Sequence, residues 1–460
     1  MAARLSLAIA LAKLAKATIK LLKQGAGSAL PGRVALAIEP QALTLFADQL
    51  KPRDLSQKVQ EQGLRTPLGF MRSLLAINEN SRNAAIGSSV TNLSKLQSMV
   101  TGTNGKTTTS GILKEIYKAA TNQDPISNDM GANLYYGIVA ELINSSTLGG
   151  KLKSNHYVLE VDEAAFPEIS KQLVPSSILV TNLFRDQLDR FGEIDTTQKL
   201  IVKGIQQCAG STIILNADDA KVFEIKELLN EQDFKFFSFR VESDSKISNF
   251  DSKTAAKQET DLVTELLENK VGSSRIKLNY QGQSVELELK LPGLYNTYNA
   301  SAAAATAIVA GIDLETIKQG IANYHGNFGR AERKEFNSVE FQCFLIKNPT
   351  GATEVLKDLA QDPQAKYLIA INDNYADGRD VSWLWDAEFE RLKTESTIIC
   401  SGSRAEDMAL RLKYAGIKPE QISIENNLKK ALKLATSSKK ANEQLYLLPT
   451  YTALLELNKL

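Results

Sequence analysis

The stretch 98-SMVTGTNGKTTTSGILKEIY-117 decides how the rest of the chain is read. A short β-branched run meets two glycines, a lysine and three threonines, and then an amphipathic pattern begins. Glycine lets backbone N–H groups converge on an anion where a Cβ would collide. The helix expected over about 106–119 adds the dipole of its N-terminus. Lys106 can reach the β- and γ-phosphates of a nucleotide, and the Thr107 hydroxyl can sit on Mg²⁺. The usual loop of this kind has a glycine four residues before Gly105, where Thr101 stands, so this is a shortened phosphate loop. A strand before it, a helix after it and the order Thr-Gly-Thr-Asn-Gly together separate it from an ordinary strand-to-helix turn.

Working outward, a cation bridging phosphates needs more oxygen ligands, which an α/β sheet supplies at strand ends. The run 158-VLEVDEAAF-166 offers Glu160, Asp162 and Glu163 there, and Glu160 is the first choice as an Mg²⁺ ligand. From about 95 to 325, strand-like runs (156-HYVLEVD-162, 176-SSILVTNL-183, 211-STIILNADD-219) alternate with helical patterns. That alternation predicts an α/β fold with a mainly parallel sheet. Asp218 and Asp219 read as a turn after a strand rather than as catalysts. Residues 240–275 are polar and weakly periodic and are expected to form an insertion. The following 275-RIKLNYQGQSVELELKLPG-293 alternates as a hairpin should, and 296-NTYNASAAAATAIVAG-311 is an alanine-rich helix stopped by glycine.

A boundary is expected at 325-HGNFGRAERKEFN-337. Beyond it 341-FQCFLIKN-348, 366-KYLIAINDN-374, 396-STIICSGSR-404 and 443-EQLYLLPTY-451 restart the strand–helix alternation. The expected division is therefore 1–50 as a lead-in, 51–95 as an insertion of unassigned role, 96–325 as the phosphate-binding unit, and 326–460 as a smaller α/β domain. A chain of 460 residues supports this, since it exceeds what one hydrophobic core usually holds.

Composition narrows the partners. The net charge of +1 and a mean hydropathy of −0.19 give no overall pull towards nucleic acid or membrane. Cys208, Cys343 and Cys400 lie too far apart for a disulfide framework, which fits a reducing, cytoplasmic setting. At the N-terminus Lys13, Lys16, Lys20 and Lys23 recur at three and four, opposite leucines and isoleucines. This amphipathic helix reads first as packed on its own protein, and second as a peripheral contact with the inner face of an anionic membrane. It is too interrupted to span a bilayer.

The motifs TGTNGKTTT, LEVDEA, TNLFRDQLDRFG, LNADD and PGLYNTYNASAA together resemble the Mur ligase family, ATP-dependent amide-forming enzymes of peptidoglycan and folate metabolism. LIKNPTGATEVL, AINDNYADGRDVSWLWDAEFE, SGSRAEDMALRLKYAGI and LPTYTALLEL narrow this to the family branch that serves as ligase-like subunit of lipid II isoglutaminyl synthases. The resemblance implies ATP-dependent amidation of the D-glutamate α-carboxylate in the lipid II stem peptide, through an acyl phosphate. Ammonia would come from a GatD-type glutamine amidotransferase partner. It implies that Thr103, Asn104, Gly105, Lys106, Thr107 and Thr108 hold phosphate, with Thr107 and Glu160 on Mg²⁺. Asn296 and Asn299 match the asparagine motif beside adenine, and Arg330 the linker arginine that reaches nucleotide phosphate. An aspartate of 372-NDNYADGRD-380 is implied to orient the partner's catalytic histidine, Asp373 before Asp377.

Three departures qualify this. The region where many relatives insert a four-cysteine zinc ribbon carries no cysteine or histidine here, so no structural zinc is expected. Ile201 occupies the spacing of the carbamoylated lysine of amino-acid-adding Mur ligases, with Lys199 and Lys203 on either side, so that role is left unassigned. Residues 52–95 match nothing in the family pattern. A folylpolyglutamate synthase-like ligase is an alternative, disfavoured because Lys347 stands where such enzymes anchor the incoming amine with an acid. A nucleotide-binding scaffold without turnover is the other, against which Lys106, Thr107 and Glu160 argue.

Overall fold

The computed structural model describes residues 2–21, 29–51, 96–128, 132–183, 193–230, 232–243, 260–270, 272–326, 329–360, 362, 364–392 and 395–460. The expected 52–95 insertion and the DQLD motif lie outside them. Two sheets organise the described chain. The first has nine strands, β1 (Gln97–Thr101), β2 (Ile126–Ser127), β3 (Tyr157–Glu160), β4 (Ser177–Val180), β5 (Thr212–Asn216), β6 (Lys235–Glu242), β7 (Leu262–Lys270), β8 (Ser273–Tyr280) and β9 (Gln283–Leu289). Their order is β2-β3-β1-β4-β5-β6-β7-β8-β9, parallel as far as β7 and antiparallel over the last two pairs. β1, β3 and β4 are buried throughout, as strands covered by helices on both faces must be.

The polar reading of 240–275 is corrected at both ends. β6 runs on to Glu242, and β7 occupies Leu262–Lys270. Sequence misled here because β7 is broken by a register shift between Leu266 and Glu268, which interrupts its alternation. Residues 244–259 fall outside the described chain.

Helices seal the sheet. The phosphate-loop helix Lys106–Thr121 packs on Leu294–Val309 and Leu314–Asn323. The last of these comes in close because Gly320 faces Ile116, whose backbone a Cβ would strike. The second sheet orders its strands β10-β11-β15-β12-β13-β14 (Arg330–Phe336, Val339–Phe344, Leu445–Pro449, Lys366–Ala370, Ile398–Ser401 and Ile422–Ile424). Only β10 and β11 are antiparallel.

At the N-terminus Ala2–Leu21 is one helix, packed on Leu30–Ile38 and Tyr135–Asn144 through Leu5, Ala8, Ile9 and Ala12. Lys13 departs from the expected basic face. Its ammonium turns inward and donates to the Ser146 carbonyl, and burial, with Lys153 and Lys16 nearby, lowers its pKa.

Candidate active site

Parallel register brings three strand ends together, since Val100 pairs with Glu160 and Thr101 with Val180. The loop leaving β1, the acids leaving β3 and the Thr181–Asn182 pair leaving β4 therefore share the carboxyl edge of the sheet, where α/β proteins place their sites. Gly102 and Gly105 take φ of +119° and +82°, in the region that favours glycine. A Cβ on Gly105 would run into the Asn299 amide, and one on Gly102 into Thr181 and the Asn182 backbone.

Asn182 braces the loop. Its carbonyl accepts from Thr103 N (2.9 Å), its Oδ1 from Asn104 N (2.9 Å), and its Nδ2 donates to the Asn104 carbonyl (3.0 Å). The Thr181 hydroxyl donates to the same carbonyl (2.8 Å). Sequence reading assigned neither residue a role. The available signal was a polar pair directly after a buried strand adjacent to the loop strand.

Lys106 is buried. Its ammonium donates to the carbonyls of Gly102 and Thr103 and to Glu163 Oε1 at 2.9 Å. Burial alone would lower its pKa, but Glu163, backed by Glu160 and Asp162, outweighs that and holds it above the ordinary lysine value. Glu160 is buried beside this pair, its Oε1 accepting from Asn133 Nδ2 at 2.9 Å and its backbone bonded both ways to the Asn128 amide. Thr108 and Thr109 are buried in the first turn of the helix. Thr107, half-buried, also borders a cavity of about 230 Å³ lined by Gly111, Lys114, Glu115, Tyr324 and His325.

Asn299 sits behind Gly105, accepting from Thr109 Oγ1 (3.3 Å) and donating to Asn296 Oδ1 (3.2 Å). Asn296 folds back onto the Pro292 carbonyl (2.7 Å). Arg330 opens β10, paired in register with Phe344. Asp218 and Asp219 tie neighbouring segments together. Asp218 accepts from Val241 N and Tyr298 OH, while Asp219 accepts from Leu183 N and caps the helix Ala220–Phe223. Burial raises both, Asp219 to about 6.

From the second sheet, Asn348 caps the helix Pro349–Leu359 and donates across to Asn104 Oδ1 at 3.2 Å. After β12, Asp373 is half-buried, held by the Ser403 hydroxyl (2.7 Å) and by Arg404 Nε (2.8 Å). These partners keep its carboxyl below the usual range. Asp377 is occupied differently, accepting from the backbone and hydroxyl of Thr452 and from Asn374 N.

These residues suit a nucleotide. Asn104 Nδ2 and Thr101 Oγ1 are buried polar atoms without a hydrogen-bond partner at the loop, and the first N–H groups of the helix Lys106–Thr121 have no intrahelical carbonyl to bond. Among the described residues no three His, Cys, Asp or Glu side chains cluster as a self-sufficient metal site. A cation here would take the Thr107 hydroxyl and Glu160 together with phosphate oxygens.

Family models match twice, the Mur ligase middle domain over residues 100–307 and the MurT ligase C-terminal domain over 345–454. The chain is 34% identical to the "Lipid II isoglutaminyl synthase (glutamine-hydrolyzing) subunit MurT" of Streptococcus pneumoniae, covering 79% of this chain and 86% of that one. The chain belongs to the MurT family of Mur ligases. The Staphylococcus aureus (strain COL) protein of the same description is 32% identical, over 72% of this chain and 80% of its own. Among solved structures, MurF from Acinetobacter baumannii superposes with a TM-score of 0.62 at 19% identity, covering 78% of this chain and 75% of that one. It shares the Mur ligase fold. As a MurT-family member the chain is an ATP-dependent carbon–nitrogen ligase.

Proposed function

We propose that this chain amidates the α-carboxylate of D-glutamate in the lipid II stem peptide, at the inner face of the cytoplasmic membrane. The carboxylate oxygen attacks the γ-phosphorus of ATP, ADP leaves, and an acyl phosphate forms on the substrate. Ammonia, released from glutamine by a GatD-type partner, then attacks the acyl carbon. Phosphate departs, a proton is lost, and isoglutamine remains. Mg²⁺, when bound, supplies charge neutralisation between phosphates, with Thr107 and Glu160 as its protein ligands.

The chain's own residues do the rest. With the Thr103 and Asn104 N–H groups committed to Asn182, the N–H groups that open the helix Lys106–Thr121 are the ones offered to phosphate, and Lys106, already charged, follows the γ-phosphate as it transfers. Asn299 backs the loop near the nucleotide, Asn296 steadies Asn299, and Arg330 belongs to the linker that meets nucleotide phosphate. Asn348 closes the second sheet against the loop, which keeps water from an acyl phosphate it would hydrolyse. Asp373, whose carboxylate is oriented and half-exposed, is the candidate to complete the partner's Cys-His site. Asp377 is second, because Thr452 already claims it.

One observation carries this reading: a charged lysine buried in a glycine loop, touched by Asn348 from a second α/β unit. The test is co-purification with a GatD-type glutaminase, then mass spectrometry of lipid II incubated with ATP and glutamine. A product lighter by the difference between a hydroxyl and an amino group is expected, only with all components present. Amidation without nucleotide, or glutamine hydrolysis by this chain alone, overturns the reading.

A further inference from the structure

The N-terminal helix Ala2–Leu21 leaves one face uncovered. Leu7, Leu11 and Leu14, one turn apart, are 53%, 40% and 62% exposed, while Leu5, Ala8, Ile9 and Ala12 are buried beneath. Exposed Leu148, in a turn whose Gly150 packs on Leu5, lies beside this helix, and exposed Leu30 and Tyr136 belong to the two helices it packs on. The Arg33 guanidinium lies 5.2 Å over the Tyr136 ring. Arg4, Lys16 and Arg33 are exposed, and the sequence before Glu39 holds no acid.

We propose that this face seats the protein on an anionic lipid bilayer, with the three leucines in the headgroup–acyl boundary and the exposed Arg4, Lys16 and Arg33 against lipid phosphates. The charge selects this occupant. Exposed leucines beside exposed Arg4, Lys16 and Arg33, on a segment that carries no acid before Glu39, are complementary to anionic headgroups.

Placement gives the contact a purpose. Exposed Leu134 precedes the helix Tyr135–Asn144, and its neighbour Asn133 holds Glu160 at the candidate site. The elements that carry the apolar face therefore run to the mouth of the site, so a substrate anchored by its lipid can present its headgroup without leaving the bilayer. This deepens the proposed function and rests on it for the lipid-linked substrate.

The test is co-sedimentation of the full chain with phosphatidylglycerol vesicles and with phosphatidylcholine vesicles. Binding to the first alone is expected, weakening with salt. Leu11→Asp with Leu14→Asp should weaken it at least about ten-fold, and Lys16→Glu at least about five-fold. These side chains are exposed, so far-ultraviolet circular dichroism should be unchanged. Absence of binding, or binding indifferent to the leucine pair, overturns the inference. So does binding that emerges only after residues 52–95 are deleted, which would make that segment the occupant, or a dimer that the leucine variants dissolve. Vesicle binding without amidation counts against the proposed function alone, and amidation of lipid II without vesicle binding counts against the membrane inference alone.

Discussion

At the level of single residues, the proposed function leans most on Lys106, which is paired with Glu163 at 2.9 Å. Lys106→Ala should abolish phosphoryl transfer, raising the barrier by about 3 kcal/mol or more, since the lysine acts on charge that moves. Single-turnover kinetics would show this, and glutaminase binding should survive. Glu163→Gln removes one half of a nearly buried ion pair and should cost about 3 kcal/mol in the nucleotide-free protein. Thermal unfolding with and without Mg-ATP would show it, with the deficit shrinking when phosphate replaces the carboxylate. Asp373→Asn should leave ATP binding unchanged and suppress glutamine hydrolysis in the complex. If hydrolysis is unaffected, the role passes to Asp377 or is lost. The loop itself was legible because its glycines, lysine and threonines are consecutive. Asn182, Asn133 and Asn128 were not, because their importance comes from three strands ending side by side, which no local spacing encodes.

Elements show the same division. The parallel strands were readable as β-branched runs because both their faces are buried and little else is tolerated there. β7 escaped notice because it lies towards the antiparallel edge, half-polar and shifted in register, so its sequence resembles a solvated linker. The crossing of Leu314–Asn323 over the phosphate-loop helix depends on Gly320, whose only visible mark in the sequence is one glycine in a helical pattern. Gly320→Val should drive the two helices apart and cost about 1–3 kcal/mol of stability. It should also weaken ATP binding, because Ile116 sits on the helix that Lys106 begins. Denaturant titration and nucleotide calorimetry on one sample would test both.

Across the whole molecule, two α/β units meet at more than the phosphate loop. Asp358, on the helix Pro349–Leu359, is half-buried against Gly293 and accepts from Asn269 Nδ2 at 3.3 Å. Burial pushes its carboxyl up to about 7, with Asn269 and Lys357 opposing and Glu354 adding to the rise. A carboxyl whose folded value lies above its unfolded one binds its proton more tightly when folded. Stability from this site is thus full in acid and lost as pH rises from about 4 to about 7, by about 4 kcal/mol at most. Asp358→Asn should flatten that slope and raise the melting temperature at pH 8, as scanning calorimetry across the range would show. Sequence announced two alternating α/β stretches but could not disclose this junction, since Gly293, Asn269 and Asp358 are distant in the chain and each looks ordinary alone.

The pairing of Lys106 with Glu163 also bears on how a catalytic cycle ends. Once the terminal phosphate has moved, the carboxylate competes with the remaining diphosphate for the same ammonium. On the proposed function, the acid that pairs with Lys106 is expected to loosen spent nucleotide, shortening its residence time and readying the enzyme for its next turnover.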